Sequence, residues 1–224
     1  DIALKSTSEQ VAINALKLAM VNFDYVMFDA TYDEIASKYE FDYIFINIFM
    51  PLMKELGILW QTGAISPSHE HFITNLVKQK IHIQTELIQR KQTPQENQKV
   101  FVLFLPENEI HELGVLFLNY YILSQNYKTI FLGQSLTTES LNTVMTFSDS
   151  LTFVTYLTVE PNKEEVDGYL RDFQDTILEG TQSSLHILGP LQMLINPATL
   201  PAQVKLHPTF ETFRLEFFGE QIFV

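Results

Sequence analysis

Four short apolar runs, Val100 to Leu105, Thr129 to Leu132, Leu151 to Leu157 and Leu185 to Leu188, recur in the second half of the chain with helical stretches between them. Continuous runs of this length are what strands buried on both faces require, and such strands belong to parallel sheets whose crossovers are helices. The repeated order of strand, loop and helix predicts a flavodoxin-like (Rossmann-type) parallel sheet flanked by helices. Ligands are then expected beyond the carboxyl ends of the strands. The tail from about Phe210 to Val224 has an ambiguous pattern that could supply a final strand and helix.

The first ninety residues read differently. Val11, Ala15, Leu18 and Ala19 recur at helical spacing after Ser8 and Glu9, and a second helical stretch runs from about Asp24 to Tyr39. A more apolar run from Phe41 to Trp60 contains Pro51, so a kink or break is expected there. Ser66 and Pro67 open a fourth helix as N-cap and first-turn proline. Its stripes Phe72, Leu76, Ile83, Leu87 and Ile73, Val77, Ile81, Ile88 make an apolar face wide enough to be buried among other helices. The expected architecture is therefore a four-helix bundle over residues 1–92, a polar linker with Pro94 between Gln92 and Gln98, and an α/β domain over residues 98–224.

Composition narrows the function. Of 224 residues 46% are hydrophobic, enough for a substantial core, and the formal charge of −13 argues against this part of the chain gripping a phosphate backbone. The absence of cysteine excludes disulfides and thiolate-held metal or iron–sulfur sites, which fits a cytoplasmic protein. No signal pattern and no unbroken run of eighteen apolar residues is present, so no membrane association is expected.

After the first strand comes Pro106-Glu107-Asn108-Glu109-Ile110-His111-Glu112-Leu113-Gly114. It places an imidazole at a strand's carboxyl end with a carboxylate two residues before it. A metal-ligating histidine normally has its second nitrogen held by such a group, and Glu109 is the candidate partner. Gly114 has no side chain to keep a bulky ligand from the helix start. Alone, the pattern also fits a plain polar loop leading into a helix.

The segment resembles the Asp/Glu-x-His-x-x-Gly motif of cobalamin-binding domains. That resemblance implies that His111 is the metal ligand, taking the lower axial position on cobalt in place of the cofactor's own benzimidazole. In such domains a Ser-x-Leu segment on the third strand and a Gly-Gly segment on the fourth line the channel for the displaced nucleotide tail. Thr155-Tyr156-Leu157 substitutes a threonine hydroxyl, and Gly189-Pro190 keeps one glycine and puts a rigid ring beside it. Gly133, Ser135 and Thr137 follow the second strand and could face the same channel.

A second resemblance lies in the bundle. Pro51-Leu52, Gly57, Trp60, Gly63, Ser66, Glu70 and His71 reproduce the spacing of the helical domain in MerR-type, cobalamin-dependent transcriptional regulators, some of which sense light through adenosylcobalamin. The resemblance implies that Trp60, Glu70 and His71 cap the cofactor's upper face. It also implies that a helix-turn-helix domain ahead of residue 1 binds DNA, and that the protein self-associates as a dimer or tetramer. Some light-sensing relatives have a histidine directly after the bundle tryptophan, where this chain has Gln61, so a second imidazole is not available to cobalt from that position.

Competing readings remain. A lone tryptophan in a bundle can be a core anchor, and His69 and His71, two apart on a helix, point to different faces and are not a metal pair. His82, His186 and His207 lack a partner pattern and read as ordinary histidines. The acidic clusters Glu107 to Glu112 and Glu160 to Asp167 read as solvated charges near helix starts, Glu109 excepted. The chain could also be a corrinoid carrier in methyl transfer, or a degenerate dimerisation domain that has lost its cofactor. No nucleophile and base arrangement is present, so an enzyme is not expected.

Overall fold

The computed structural model describes residues 2–92 and 99–219, with side chains from residue 8. Most of the predicted linker, residues 93–98, and the end of the tail, residues 220–224, lie outside the described residues. The chain forms two compact units divided between Gln84 and Thr85.

In the helical unit, α1 (Ile2–Val21) begins before the predicted stretch and buries a stripe that shares only Ala19 with the residues singled out from the sequence. Ala12, Ile13, Leu16, Ala19 and Met20 face the core, while Val11 and Leu18 are exposed. A 3.6-residue period offers more than one apolar face on so apolar a helix, and tertiary packing chooses between them. Asp24 caps α2 (Tyr25–Ala36) by accepting the amide of Met27 at 2.9 Å.

At Pro51 the helix does not break: helix α3 (Phe41–Ile44), a π turn (Phe45–Phe49) and α4 (Met50–Gln61) form one continuous rod, and the irregularity expected at the proline takes the form of the π turn just before it. Proline has no N–H to give the preceding turn and its ring crowds the carbonyl there. The wide turn makes room, with the amide of Met50 donating to the carbonyl of Phe45 five residues back. By length and composition this rod could cross a bilayer. Its apolar face is instead occupied within the unit, because Phe41, Ile44, Phe45, Ile48, Phe49, Leu52 and Leu56 are all buried. Phe49 is the centre, stacked against Phe28 and Tyr32 and edge-on to Phe41 and Phe45.

Helix α5 (Pro67–Gln89) buries Ile73, Val77 and Ile81 of one predicted stripe, while the other is partly buried at Phe72 and Leu76 and exposed at Ile83 and Leu87. Lys80 is tied to Asp29 at 2.7 Å and lies over the Tyr32 ring, fastening α5 to α2.

The second unit is a five-stranded sheet. Its strands are β1 (Val100–Pro106), β2 (Lys128–Leu136), β3 (Thr152–Tyr156), β4 (Ser184–Leu188) and β5 (Val204–Leu206), arranged in the order β2-β1-β3-β4-β5 and parallel throughout. Helix α6 (Leu113–Ser124) follows β1, α7 (Thr138–Met145) follows β2, α8 (Val166–Phe173) follows β3, and α9 (Phe210–Phe218) ends the unit. One face of the sheet packs Val102, Phe104 and Phe153 against Leu141, Leu170 and Phe173 of α7 and α8. The other packs Phe101, Leu103 and Leu105 against Val115, Leu118 and Ile122 of α6 and Phe213 of α9.

Strand β2 departs from expectation. It lies at the sheet edge and is partly exposed along its length rather than covered on both faces. The strand order reverses direction between β1 and β3, which is the switch point where open parallel sheets bind ligands.

Candidate functional site

At that switch point the loop from β1 to α6 carries Glu109 and His111. Glu109 is fully buried, and its Oε1 accepts the His111 amide at 2.8 Å and meets the imidazole Nδ1 at 2.6 Å. Its Oε2 accepts the amides of Thr158, Val159 and Glu160 at 3.0, 2.7 and 2.9 Å. Burial pushes this carboxyl's pKa up, but the amides of Val159, Glu160 and His111 and the imidazole outweigh it and hold the group below the usual carboxylate range. One carboxylate thus joins the loops after β1 and β3 and fixes the histidine ring between them. The ring is about half exposed, its side chain at 52%, and with Nδ1 engaged it is Nε2 that can meet a ligand.

The rest of the loop is equally constrained. Asn108 adopts a left-handed conformation and donates its amide to Ser135 Oγ at 3.2 Å, so Ser135, itself exposed and left-handed, ties this loop to the end of β2. Ser135 is thereby a strut for the loop that carries His111.

The predicted tail-channel residues have mixed fates. Thr155 is fully buried and its hydroxyl oxygen has no hydrogen-bond partner, which is costly unless a ligand supplies one. Leu157 is a core residue of the α7/α8 face. Gly189 sits at φ +96°, and a Cβ there would come within 2.3 Å of the Leu157 carbonyl oxygen, so close strand packing explains this glycine without a ligand. Pro190 opens a short 3-10 turn, Pro190–Leu194.

At Gly114 the structure shows a second use for the missing side chain: a Cβ would lie 2.6 to 2.7 Å from the Tyr156 ring, which packs there. The half-exposed His111 imidazole and the unpartnered Thr155 hydroxyl are groups a cobalamin could use, while Tyr156 packs against Gly114. A separate cleft of about 510 Å³ is lined by Glu107, Glu139 and Asp172 together with Tyr169 and Thr137, and its carboxylates suit it poorly to the phosphate of a nucleotide tail.

In the helical unit, Trp60 is 56% exposed near the end of α4, which rules out the core-anchor reading within this unit. Glu70 lies in the first turn of α5, its Oε1 accepting from the Thr74 hydroxyl at 2.7 Å and its Oε2 lying 3.2 Å from His71 Nδ1. The His71 ring is mostly exposed. His69 is used structurally, contacting Ser66 Oγ at 3.0 Å and stacking on Phe23.

Sequence reasoning missed three features. The amides of Thr158 to Glu160 hold Glu109 through backbone atoms that leave no signature in residue type. Tyr156, the middle residue of Thr155-Tyr156-Leu157, has no sequence signature for its contact with Gly114. His186 and His207, read as ordinary, are both buried, and His186 Nδ1 lies 2.9 Å from His207 Nε2.

Comparison with known proteins places residues 12–83, about a third of the chain, in a match to the family described as B12 binding domain. No curated protein matches the chain. Among solved structures, the monomethylamine corrinoid protein of Methanosarcina barkeri superposes with a TM-score of 0.72 at 12% identity, covering 92% of this chain and 97% of that one. The cobalamin-binding protein of Desulfitobacterium hafniense DCB-2 is similar at 16% identity with a TM-score of 0.38, covering 83% and 86% of the two chains. Residues 12–83 of the helical region thus resemble the B12 binding domain, and the chain shares its fold with the monomethylamine corrinoid protein.

Proposed function

We propose that this chain is the cobalamin-binding sensory region of a MerR-like transcriptional regulator, with adenosylcobalamin as cofactor and His111 as the lower ligand to cobalt. The observation that carries the reading is the Glu109–His111 pair. A fully buried carboxylate, held by four backbone amides, orients a half-exposed imidazole at the sheet's switch point. Such an outer partner fixes the ring's tautomer and makes the free nitrogen a stronger donor. The bound cofactor supplies a cobalt–carbon bond that light can break. Thr155 offers its unpartnered hydroxyl to the displaced tail. Trp60 offers an apolar face to the upper side of the ring, and Glu70 and His71 offer hydrogen bonds to ribose or adenine.

On this reading the chain acts by binding rather than by catalysis. Cofactor or light shifts a self-association equilibrium between monomer and dimer or tetramer, through differing affinity for the two states, while a separate helix-turn-helix domain contacts DNA. Light scattering of apo and adenosylcobalamin-loaded protein, in darkness and after green illumination, tests it. A mass that changes with cofactor or light supports the proposal, and an identical mass in all states contradicts it.

A second reading, a corrinoid carrier in methyl transfer, draws support from the whole-chain likeness in fold to the monomethylamine corrinoid protein. Methyl transfer to a thiol acceptor in a coupled assay would favour the carrier.

A further inference from the structure

On the α6/α9 side of the sheet, two imidazoles and a carboxylate converge without any part in the site above. His186 lies in the middle of β4, paired in register with Lys205 of β5, and its ring points to the side where Phe213 and Phe217 of α9 pack against it. His207 follows β5 directly, its amide donating to the Ile187 carbonyl at 2.9 Å, and its ring stacks on His186. The rings are 2% and 3% exposed, yet neither is paired only with protein groups of fixed hydrogen-bonding role: His186 Nδ1 faces His207 Nε2 at 2.9 Å. Glu216 of α9 closes the group, its Oε2 3.9 Å from His207 Nε2 and its Oε1 bound to Lys205.

We propose that His186 Nδ1, His207 Nε2 and Glu216 Oε2 form a binding site for a first-row divalent metal ion, of which zinc is the best match, that clamps α9 to the edge of the sheet. One ligand atom from each of these three side chains lies within 4.8 Å of the others. Ligands about 2.0–2.1 Å from a tetrahedral zinc stand about 3.3 Å apart, so the ring nitrogens need only open slightly and the carboxylate close in. Two imidazoles and one carboxylate are a donor set that zinc accepts, and softer, thiolate-seeking ions are disfavoured.

The surroundings are those of a ligand set. Ser184 Oγ lies 3.1 Å from the other nitrogen of His186, and a backbone hydrogen bond at Thr212 engages His207, so each ring is oriented from behind. Lys205 engages one oxygen of Glu216 and leaves the other for the ion. Glu216, exposed with its side chain at 31%, stands at the solvent side, where a water can complete the coordination.

The test uses the whole chain free of cobalamin, so that the corrinoid's own cobalt does not contribute. Metal-stripped wild type, Glu216→Gln, His207→Ala and His111→Ala proteins are titrated with zinc against a chromophoric chelator, and with Co2+ while visible absorption is recorded. The proposal expects one zinc per chain in wild type and His111→Ala, and a visible Co2+ spectrum of the four-coordinate kind. It expects affinity at least about tenfold weaker in Glu216→Gln, whose surface position preserves the fold, and loss in His207→Ala. Zinc should also raise the Tm of wild type and not that of Glu216→Gln. Wild type that binds no zinc, or binds it as well in Glu216→Gln, overturns the proposal and leaves the histidines as a hydrogen-bonded pair.

Discussion

Glu109 Oε1 lies 2.6 Å from His111 Nδ1, while the other oxygen of the same carboxylate accepts three consecutive amides from the loop after β3. The loop that presents the histidine is therefore built around a buried charge. Replacing that charge should disturb both the ring and the two loops it joins.

In Glu109→Gln one oxygen becomes an NH2 donor, which must face either the three amides or the His111 side. Leaving a buried amide unpaired costs about 1–3 kcal/mol, so urea unfolding of the variant should give a stability lower by about 2–4 kcal/mol, and the variant should bind cobalamin at least about tenfold more weakly. The pH dependence has a definite sign. The folded pKa is depressed, so the stabilisation from the ionised carboxylate is present above the ordinary carboxylate range and is lost as pH falls through the folded value. Urea unfolding of wild type should lose stability below about pH 4.5 by a margin that Glu109→Gln does not show.

Tyr156 and Gly114 form a testable pair. Gly114→Ala puts a Cβ into the Tyr156 ring and should destabilise by about 1–3 kcal/mol. Tyr156→Ala in the same chain should remove that clash and restore part of the loss, giving a clear coupling energy in a double-mutant cycle by thermal unfolding. Tyr156→Ala alone, by freeing space beside Gly114, should strengthen binding of complete cobalamin relative to cobinamide, which lacks the nucleotide tail. Equal affinities for the two corrinoids before and after the change would remove Tyr156 from the tail channel.

Trp60→Ala separates a surface role from a core one. A buried tryptophan lost to alanine costs about 3–5 kcal/mol, whereas an exposed one away from special features costs within about 0.5 kcal/mol. Since Trp60 is 56% exposed, the unfolding free energy should be nearly unchanged while the affinity for adenosylcobalamin falls relative to that for hydroxocobalamin. A large loss of stability with no change in that ratio would contradict the upper-face role.

Gly189→Ala tests the alternative source of a motif residue. With φ at +96° and the Leu157 carbonyl oxygen 2.3 Å from the new Cβ, the variant should lose at least about 2 kcal/mol of stability whether or not cobalamin is present. Equal loss in apo and loaded protein, by denaturant unfolding, assigns this glycine to strand packing.

What was readable in the sequence follows the kind of interaction involved. The parallel sheet was legible because a strand buried on both faces, such as Val100–Pro106, must be apolar without interruption, and Glu109 and His111 were legible because both partners sit two residues apart in one loop. Less accessible was which face of an apolar helix packs: α1 turns Leu16 and Met20 inward rather than Val11 and Leu18 because its neighbours, not its own period, decide. Strand position was hidden too, since nothing in Lys128–Leu136 marks it as the edge. The His186–His207 pair is 21 residues apart and meets only because β4 and β5 are adjacent, and the Tyr156 ring reaches Gly114 across a gap in sequence twice as long.

The most direct measurement is an ultraviolet–visible titration of wild type and His111→Ala with adenosylcobalamin in the dark. The account predicts that wild type keeps a spectrum of imidazole-ligated cobalamin through gel filtration, and that His111→Ala shifts to the spectrum without a lower nitrogen ligand or loses the cofactor. Wild type that retains no cobalamin, or a His111→Ala spectrum identical to wild type, would contradict it.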